Sequence, residues 1–167
     1  MTNKINHFQR FGLPVSFHLD EEDLETKYLS LQKKFHPDNF QGDNMEAEMN
    51  SIFINQAYEA LLNPLKRASY ILSLKGINID SDECHIKPNL STLDFVISVQ
   101  EEIDENKHDK ERITHIKRRL KIVIGRELPQ VIDFLDEEKY EEAAQKLIKI
   151  KYLNKTAQDL KNATIKN

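Results

Sequence analysis

Apolar residues recur along this chain at helical spacing, and polar or helix-breaking residues stop each run. Asp20 followed by Glu21, Glu22 and Asp23 sets an N-cap and negative charge where the helix macrodipole favours them. Leu24, Tyr28, Leu31 and Phe35 follow at steps of four, three and four, one buried stripe ending at Pro37. Asn39 to Asp43, with Gly42, reads as a loop. The next helix starts near Asp43 or Asn44 and is expected to carry Met49, Ile52, Phe53, Ala57, Ala60 and Leu61 inward. Asn63-Pro64 ends it and caps a short helix through Ala68, Ile71 and Leu72 that stops before Gly76.

After Gly76 the pattern fades into polar residues around Asp80, Ser81, Asp82 and Pro88, which predicts a linker over 77–88. Helices are expected near 89–106, 109–136 and 137–164. Gly125 and Pro129 predict a kink or partial break in the middle one. The last carries Tyr140, Ala143, Leu147, Ile150, Ala157 and Leu160 as its stripe. Three such stripes bury most economically in a three-helix bundle. The expectation is therefore an all-α chain with helical domains over 1–76 and 89–167.

Composition supports this and removes several functions. Charged residues make up 31% of the 167 and hydrophobic ones 39%, while four glycines and five prolines leave little turn material for many strands. No apolar run is long enough to span a membrane, and residues 1–10 lack a signal-peptide core. Net charge is −4 with neither half basic, so nucleic acid is not an expected partner. Cys84 is the single cysteine, which excludes a disulfide framework and points to a reducing compartment, most simply the cytosol. The six histidines are scattered, and His85 beside Cys84 is no metal cage, so no cofactor or metal is expected. A monomer is the expected state.

The chemistry-bearing feature is His36-Pro37-Asp38, placed between two amphipathic helices. Pro37 restricts the loop and can hold the Asp38 carboxylate in a defined orientation, ready to accept a charge-assisted hydrogen bond from a partner arginine. Lys27 and Lys34, seven apart, share one flank of the preceding helix, while Lys33 points elsewhere; these cations can steer docking on an acidic surface. The plainer reading makes them lysines placed where a helix C-terminus favours them. An enzyme using His36 as base would need a nucleophile and a pocket, and the sequence nominates neither.

With Ile54-Asn55-Gln56-Ala57-Tyr58 and Pro64-Leu65-Lys66-Arg67-Ala68, the tripeptide and its helices resemble a J domain. That resemblance implies docking on a heat-shock ATPase chaperone through His36, Pro37, Asp38 and the lysines, with the chemistry in the partner. Glycine/phenylalanine-rich and cysteine-rich regions of general J proteins are absent from the sequence. Instead Phe8-Gln9-Arg10-Phe11-Gly12-Leu13-Pro14, Ser73-Leu74-Lys75-Gly76 and Glu101-Glu102-Ile103-Asp104 resemble the HscB family. The resemblance runs from about His7 to about residue 160. It implies an HscA-type ATPase and an IscU-type iron–sulfur scaffold as partners; lacking an N-terminal double CxxC module, the chain looks bacterial in type.

On the helix near 89–106, Val96, Val99 and Ile103 form one stripe, assigned to the core. Leu93 and Ile97 form a second strip, followed by Glu101 and Glu105; Tyr152, with Ile148 one turn before it, lies off the main stripe of the last helix. Apolar residues rimmed by carboxylates make a contact site. The resemblance implies that these positions bind the scaffold, with Asp94 where the family often has methionine and Ser98 where it often has glutamate, which shrinks the apolar patch. The alternative is that Leu93, Ile97 and Tyr152 pack between the domains. A general J protein serving unfolded clients is the competing function.

Overall fold

A computed structural model describes residues 5–36 and 43–165, and their regular structure is helical. The order is α1 (His7–Arg10), α2 (Glu21–Lys34), α3 (Asn44–Leu62), α4 (Pro64–Leu74), α5 (Leu90–Glu105), α6 (Lys110–Asp136) and α7 (Tyr140–Ile165). Contacts divide the chain into two compact units, Met1–Ile71 and Leu72–Asn167.

In the first unit, local sequence sets the helix ends. Asp20 accepts hydrogen bonds from the Glu22 and Asp23 amides at 2.9 and 3.2 Å, and Asp43 accepts from the Met45 amide. Asn63 caps α4 by accepting from the Leu65 and Lys66 amides, with Pro64 at the first helical position where its missing N–H costs nothing. Helices α1 and α2 both pack on α3. Phe8, Leu24, Ile54, Ala57, Leu61 and Ala68 are fully buried or nearly so. Met49 and Ile52, expected to point inward, are instead about half exposed, at 51% and 48%. Ala47, Ile54, Ala57 and Leu61 lie on the opposite side of α3 and fill the seam. Of the apolar triplet Ile52-Phe53-Ile54, only Ile54 goes fully in.

Arg67 joins the parts of this unit. Its side chain is 5% exposed and donates from Nε to Leu61 O at 2.6 Å, from Nη1 to Phe17 O at 2.8 Å and from Nη2 to Glu21 Oε1 at 3.3 Å. Its guanidinium also lies 5.2 Å from the Phe17 ring centroid. Leu61 O belongs to the last turn of α3, where helix geometry leaves carbonyls without a donor. One guanidinium thus satisfies the end of α3, the segment entering α2 and the first turn of α2.

The second unit begins with a Schellman turn: Ile77 N donates to Leu72 O at 2.9 Å, and Gly76 at φ +83° occupies the left-handed position that glycine tolerates. Ile77, Ile79 and Ile86 in the following polar stretch are buried, and Lys151 on α7 reaches Asp80 at 2.5 Å. Helices α5, α6 and α7 pack mutually, most extensively α6 on α7. Val96, Val99, Ile116, Leu120, Leu153 and Leu160 form the seam. The break expected at Gly125 and Pro129 does not occur, since helix runs unbroken from Lys110 to Asp136. Pro129 removes a single backbone donor, and Gln130 Nε2 adds a hydrogen bond to the next carbonyl, Arg126 O, at 3.0 Å.

Two carboxylates tie the bundle together. Glu102 of α5 pairs with Arg112 and Arg119 of α6 at 2.7 and 2.5 Å, and Glu127 of α6 with Lys146 and Lys149 of α7 at 3.1 and 2.5 Å. Burial pushes both pKa values up, but the hydrogen bonds and charges of these partners outweigh it and hold both below the ordinary value of 4.5.

Two outcomes test this frame. Replacing Arg67 by Ala should cost about 3 kcal/mol in chemical denaturation, and Lys should restore little, because an ammonium cannot satisfy the fork of carbonyls. A loss below about 1 kcal/mol would remove Arg67 as the anchor. Because Glu102 and Glu127 are depressed when folded, their stabilisation is complete above the ordinary value of 4.5 and is lost as pH falls through the lower folded values. Thermal melts from neutral to acidic pH should therefore fall more steeply below that value for wild type than for the Glu102→Gln/Glu127→Gln variant.

Candidate functional site

The two helices flanking the tripeptide are locked side by side. Tyr28 of α2 stacks on Tyr58 of α3 with centroids 4.0 Å apart, and Asn55 Oδ1 accepts from Tyr28 Oη at 3.0 Å and Gln32 Nε2 at 2.5 Å. Helix α2 closes with Phe35 N donating to Leu31 O, and His36 follows, exposed. Pro37 and Asp38 lie outside the described residues, so the loop is bracketed by His36 on one side and the Asp43 cap on the other. Lys27 is half-buried and pairs with Asp23 at 2.5 Å, one turn back on the same helix. Lys33 and Lys34 are exposed, and Lys34 Nζ sits 5.4 Å from the Phe35 centroid. The Lys27 charge is therefore already partly balanced.

The second unit presents a different surface. Short turns connect α5 to α6 and α6 to α7, so α5 and α7 run in the same direction. Gln145 Nε2 donates to Lys87 O at 2.9 Å, which ties α7 to the segment entering α5, and Leu153 of α7 shares one core cluster with Val96 and Val99 of α5. Ile97 is 52% and Tyr152 40% exposed; Leu93 is half-buried beside them. Asp94, Ser98, Glu101 and Glu105 are exposed, and the Ser98 hydroxyl turns back to Phe95 O at 2.9 Å.

Two readings of this surface change. Ile148, expected to stand exposed beside Tyr152, is 5% exposed and belongs to the core, because α7 contacts both α5 and α6 and buries a wider stripe than one row. Leu90, 79% exposed at the first position of α5, was not singled out by spacing, and it falls on the same face as Asp94 and Ile97. Glu102 separates from its neighbours Glu101 and Glu105: it turns inward to its arginines, a role that a run of acids does not signal in sequence.

Among the described residues, no group of three or more His, Cys, Asp or Glu is placed to hold a metal ion. No described helix is long and apolar enough to cross a membrane.

Comparison with known proteins divides the chain along the same lines. Residues 7–70 match the DnaJ domain, and residues 90–161 match a family described as the HSCB C-terminal oligomerisation domain. Among solved structures, chaperone HscB from Vibrio cholerae is similar at 27% identity and a TM-score of 0.78, over 96% of this chain and 98% of that one. The human co-chaperone protein HscB is similar at 26% identity and a TM-score of 0.84, over 100% of this chain and 86% of that one. The Jac1 co-chaperone from Saccharomyces cerevisiae shares the fold, at 21% identity and a TM-score of 0.79, over 97% and 95%.

Proposed function

The chain belongs to the HscB family of J-domain co-chaperones, and we propose that its two units divide the work between an HscA-type ATPase chaperone and an IscU-type iron–sulfur scaffold. As a family member it is a co-chaperone that stimulates a heat-shock ATPase in iron–sulfur cluster assembly, not a catalyst. The first unit docks on the ATPase. Asp38 accepts a charge-assisted hydrogen bond from a partner arginine, Pro37 limits the loop's freedom, and His36 completes the docking tip. Lys27, Lys33 and Lys34 act mainly on encounter rate, and Asp23 already balances part of the Lys27 charge.

The second unit carries the scaffold. The observation that supports this most is the exposure of Ile97 and Tyr152 on two helices whose neighbouring residues Val96 and Leu153 share one buried core. Half-exposed aromatic and aliphatic side chains, with Leu93 beside them, supply an anchor that loses water on binding. Asp94, Glu101 and Glu105 form a charged rim, to which Ser98 adds little because its hydroxyl already binds Phe95 O. The lone Cys84 suits a reducing compartment, and the cytosol is where we place the protein.

A pair of variants separates the two roles. Asp38→Ala should abolish stimulation of the chaperone ATPase while leaving scaffold binding within twofold of wild type. Leu93→Ala/Ile97→Ala/Tyr152→Ala should weaken scaffold binding by roughly a hundredfold or more by calorimetry, two anchor side chains being worth about 2 kcal/mol each. Stimulation of the ATPase without scaffold should survive in that variant. Unchanged scaffold affinity would remove the second assignment, and preferential binding of a denatured polypeptide would favour a general J protein.

A further inference from the structure

The exposed apolar face of α5 continues one turn beyond the residues assigned to the scaffold. Leu90, the first residue of the helix, is 79% exposed, more than any other large hydrophobic side chain among the described residues. A single exposed leucine is ordinary on a protein surface. This one sits on a fixed helix start. Asn89 Oδ1 accepts from the Thr92 amide and the Ser91 hydroxyl, both at 2.9 Å, and Gln145 Nε2 of α7 holds Lys87 O just upstream. Ile86 and Thr92 on either side are buried. Leu90 therefore projects from a pinned turn, and little backbone ordering is left to lose when a partner covers it.

The residue type at this position also departs from the other long helices. Helices α2, α3, α6 and α7 each place an acid in the first turn, where the helix dipole favours it, and α5 places none. An exposed leucine there gives nothing to the isolated fold. Its alignment gives it a use. Leu90, Asp94, Ile97 and Glu101 follow at steps of four, three and four, one line along the outer face of α5. Leu90 and Ile97 are two turns, about 10 Å, apart, and Asp94 lies between them. Leu93, half-buried, closes one side of that gap. Asp94 pairs with no cation among the described residues.

We infer that Leu90, Asp94 and Ile97 form one recognition element, with Asp94 enclosed between two apolar anchors, and that the scaffold meets it with a lysine or arginine set between two apolar side chains. This element rests on the scaffold assignment above and specifies the partner chemistry of that surface. A carboxylate at a wet rim mainly sets the encounter rate. One enclosed between anchors loses water on binding and pairs in a drier setting, so it acts mainly on dissociation. Asp94 then sets specificity as well. An apolar surface without the cation would leave this carboxylate covered and unpaired, and is rejected. Glu105, one turn beyond Glu101, stays at the rim.

Surface plasmon resonance between the full-length protein and an IscU-type scaffold tests the element. Leu90→Ala should weaken binding about tenfold, while Leu90→Met keeps most of the affinity. Both variants should melt as wild type does, because the side chain is exposed and supports no packing. Asp94→Asn should also weaken binding about tenfold, chiefly as faster dissociation, whereas Glu105→Gln should change mainly the association rate and its salt dependence. A benzoylphenylalanine crosslinker in place of Leu90 should capture the scaffold, and one in place of Ile122, exposed on the outer face of α6, should not. Ile97→Ala serves as the reference for the scaffold assignment. A loss with Ile97→Ala, but less than a twofold change with Leu90→Ala or with Asp94→Asn, overturns the inference and leaves the scaffold assignment standing. An Asp94→Asn effect confined to the association rate overturns the enclosure of the carboxylate. No change with any of the three overturns both the element and the assignment it rests on.

Discussion

The guanidinium of Arg67 is the constraint on which the first unit depends. A buried cation is costly unless its donors are used, and this one spends them on Leu61 O, Phe17 O and Glu21. Those acceptors belong to the end of α3, the segment before α2 and the first turn of α2. With these points fixed, the Tyr28–Tyr58 stack and the shared Asn55 oxygen hold α2 against α3 nearer the tripeptide. A docking loop works by presenting a short acceptor against a partner, and rigid helices on either side lower the ordering cost of that contact.

In the second unit, charge is used in two ways. Glu102 and Glu127 turn inward, each between two cations of a neighbouring helix, and bind α5 to α6 and α6 to α7. Glu101 and Glu105, one and three residues from Glu102, stay exposed and are the carboxylates proposed to meet the scaffold. The same division holds on α6, where Arg112 and Arg119 serve the bundle and Arg118 and Arg126 face solvent. The seam consumes the inner face of each helix, widest on α7, and leaves the outer faces exposed.

Much of the fold was legible because short-range rules decide it. Asp20, Asn63-Pro64 and Gly76 mark helix ends whatever the tertiary context, and Leu24, Val96 and Val99 are buried as their stripes predict, while Tyr28, Leu31 and Phe35 stay half-buried. Met49 and Ile52 were misread because apolar type alone does not say which side of an amphipathic helix meets its neighbours; α3 fills its seam with the small Ala47 and Ala57 instead. Pro129 does not break α6, since tertiary packing on both sides of the helix outweighs one lost backbone bond. Periodicity could not reveal Arg67 or Glu102, whose partners are brought together only by the fold. Spacing did single out Ile97 and Tyr152, because both fall off the stripe that their helix needs for packing. Pro37 and Asp38 were read from sequence alone, and their placement lies outside the described residues.

In the function proposed above, one chain couples an ATPase chaperone to a scaffold. Steady-state ATP hydrolysis by an HscA-type chaperone, measured with this protein, with an IscU-type scaffold and with both, tests it most directly. Stimulation by both together should exceed the sum of their separate effects. Purely additive stimulation, or none by this protein alone or with scaffold, would contradict it.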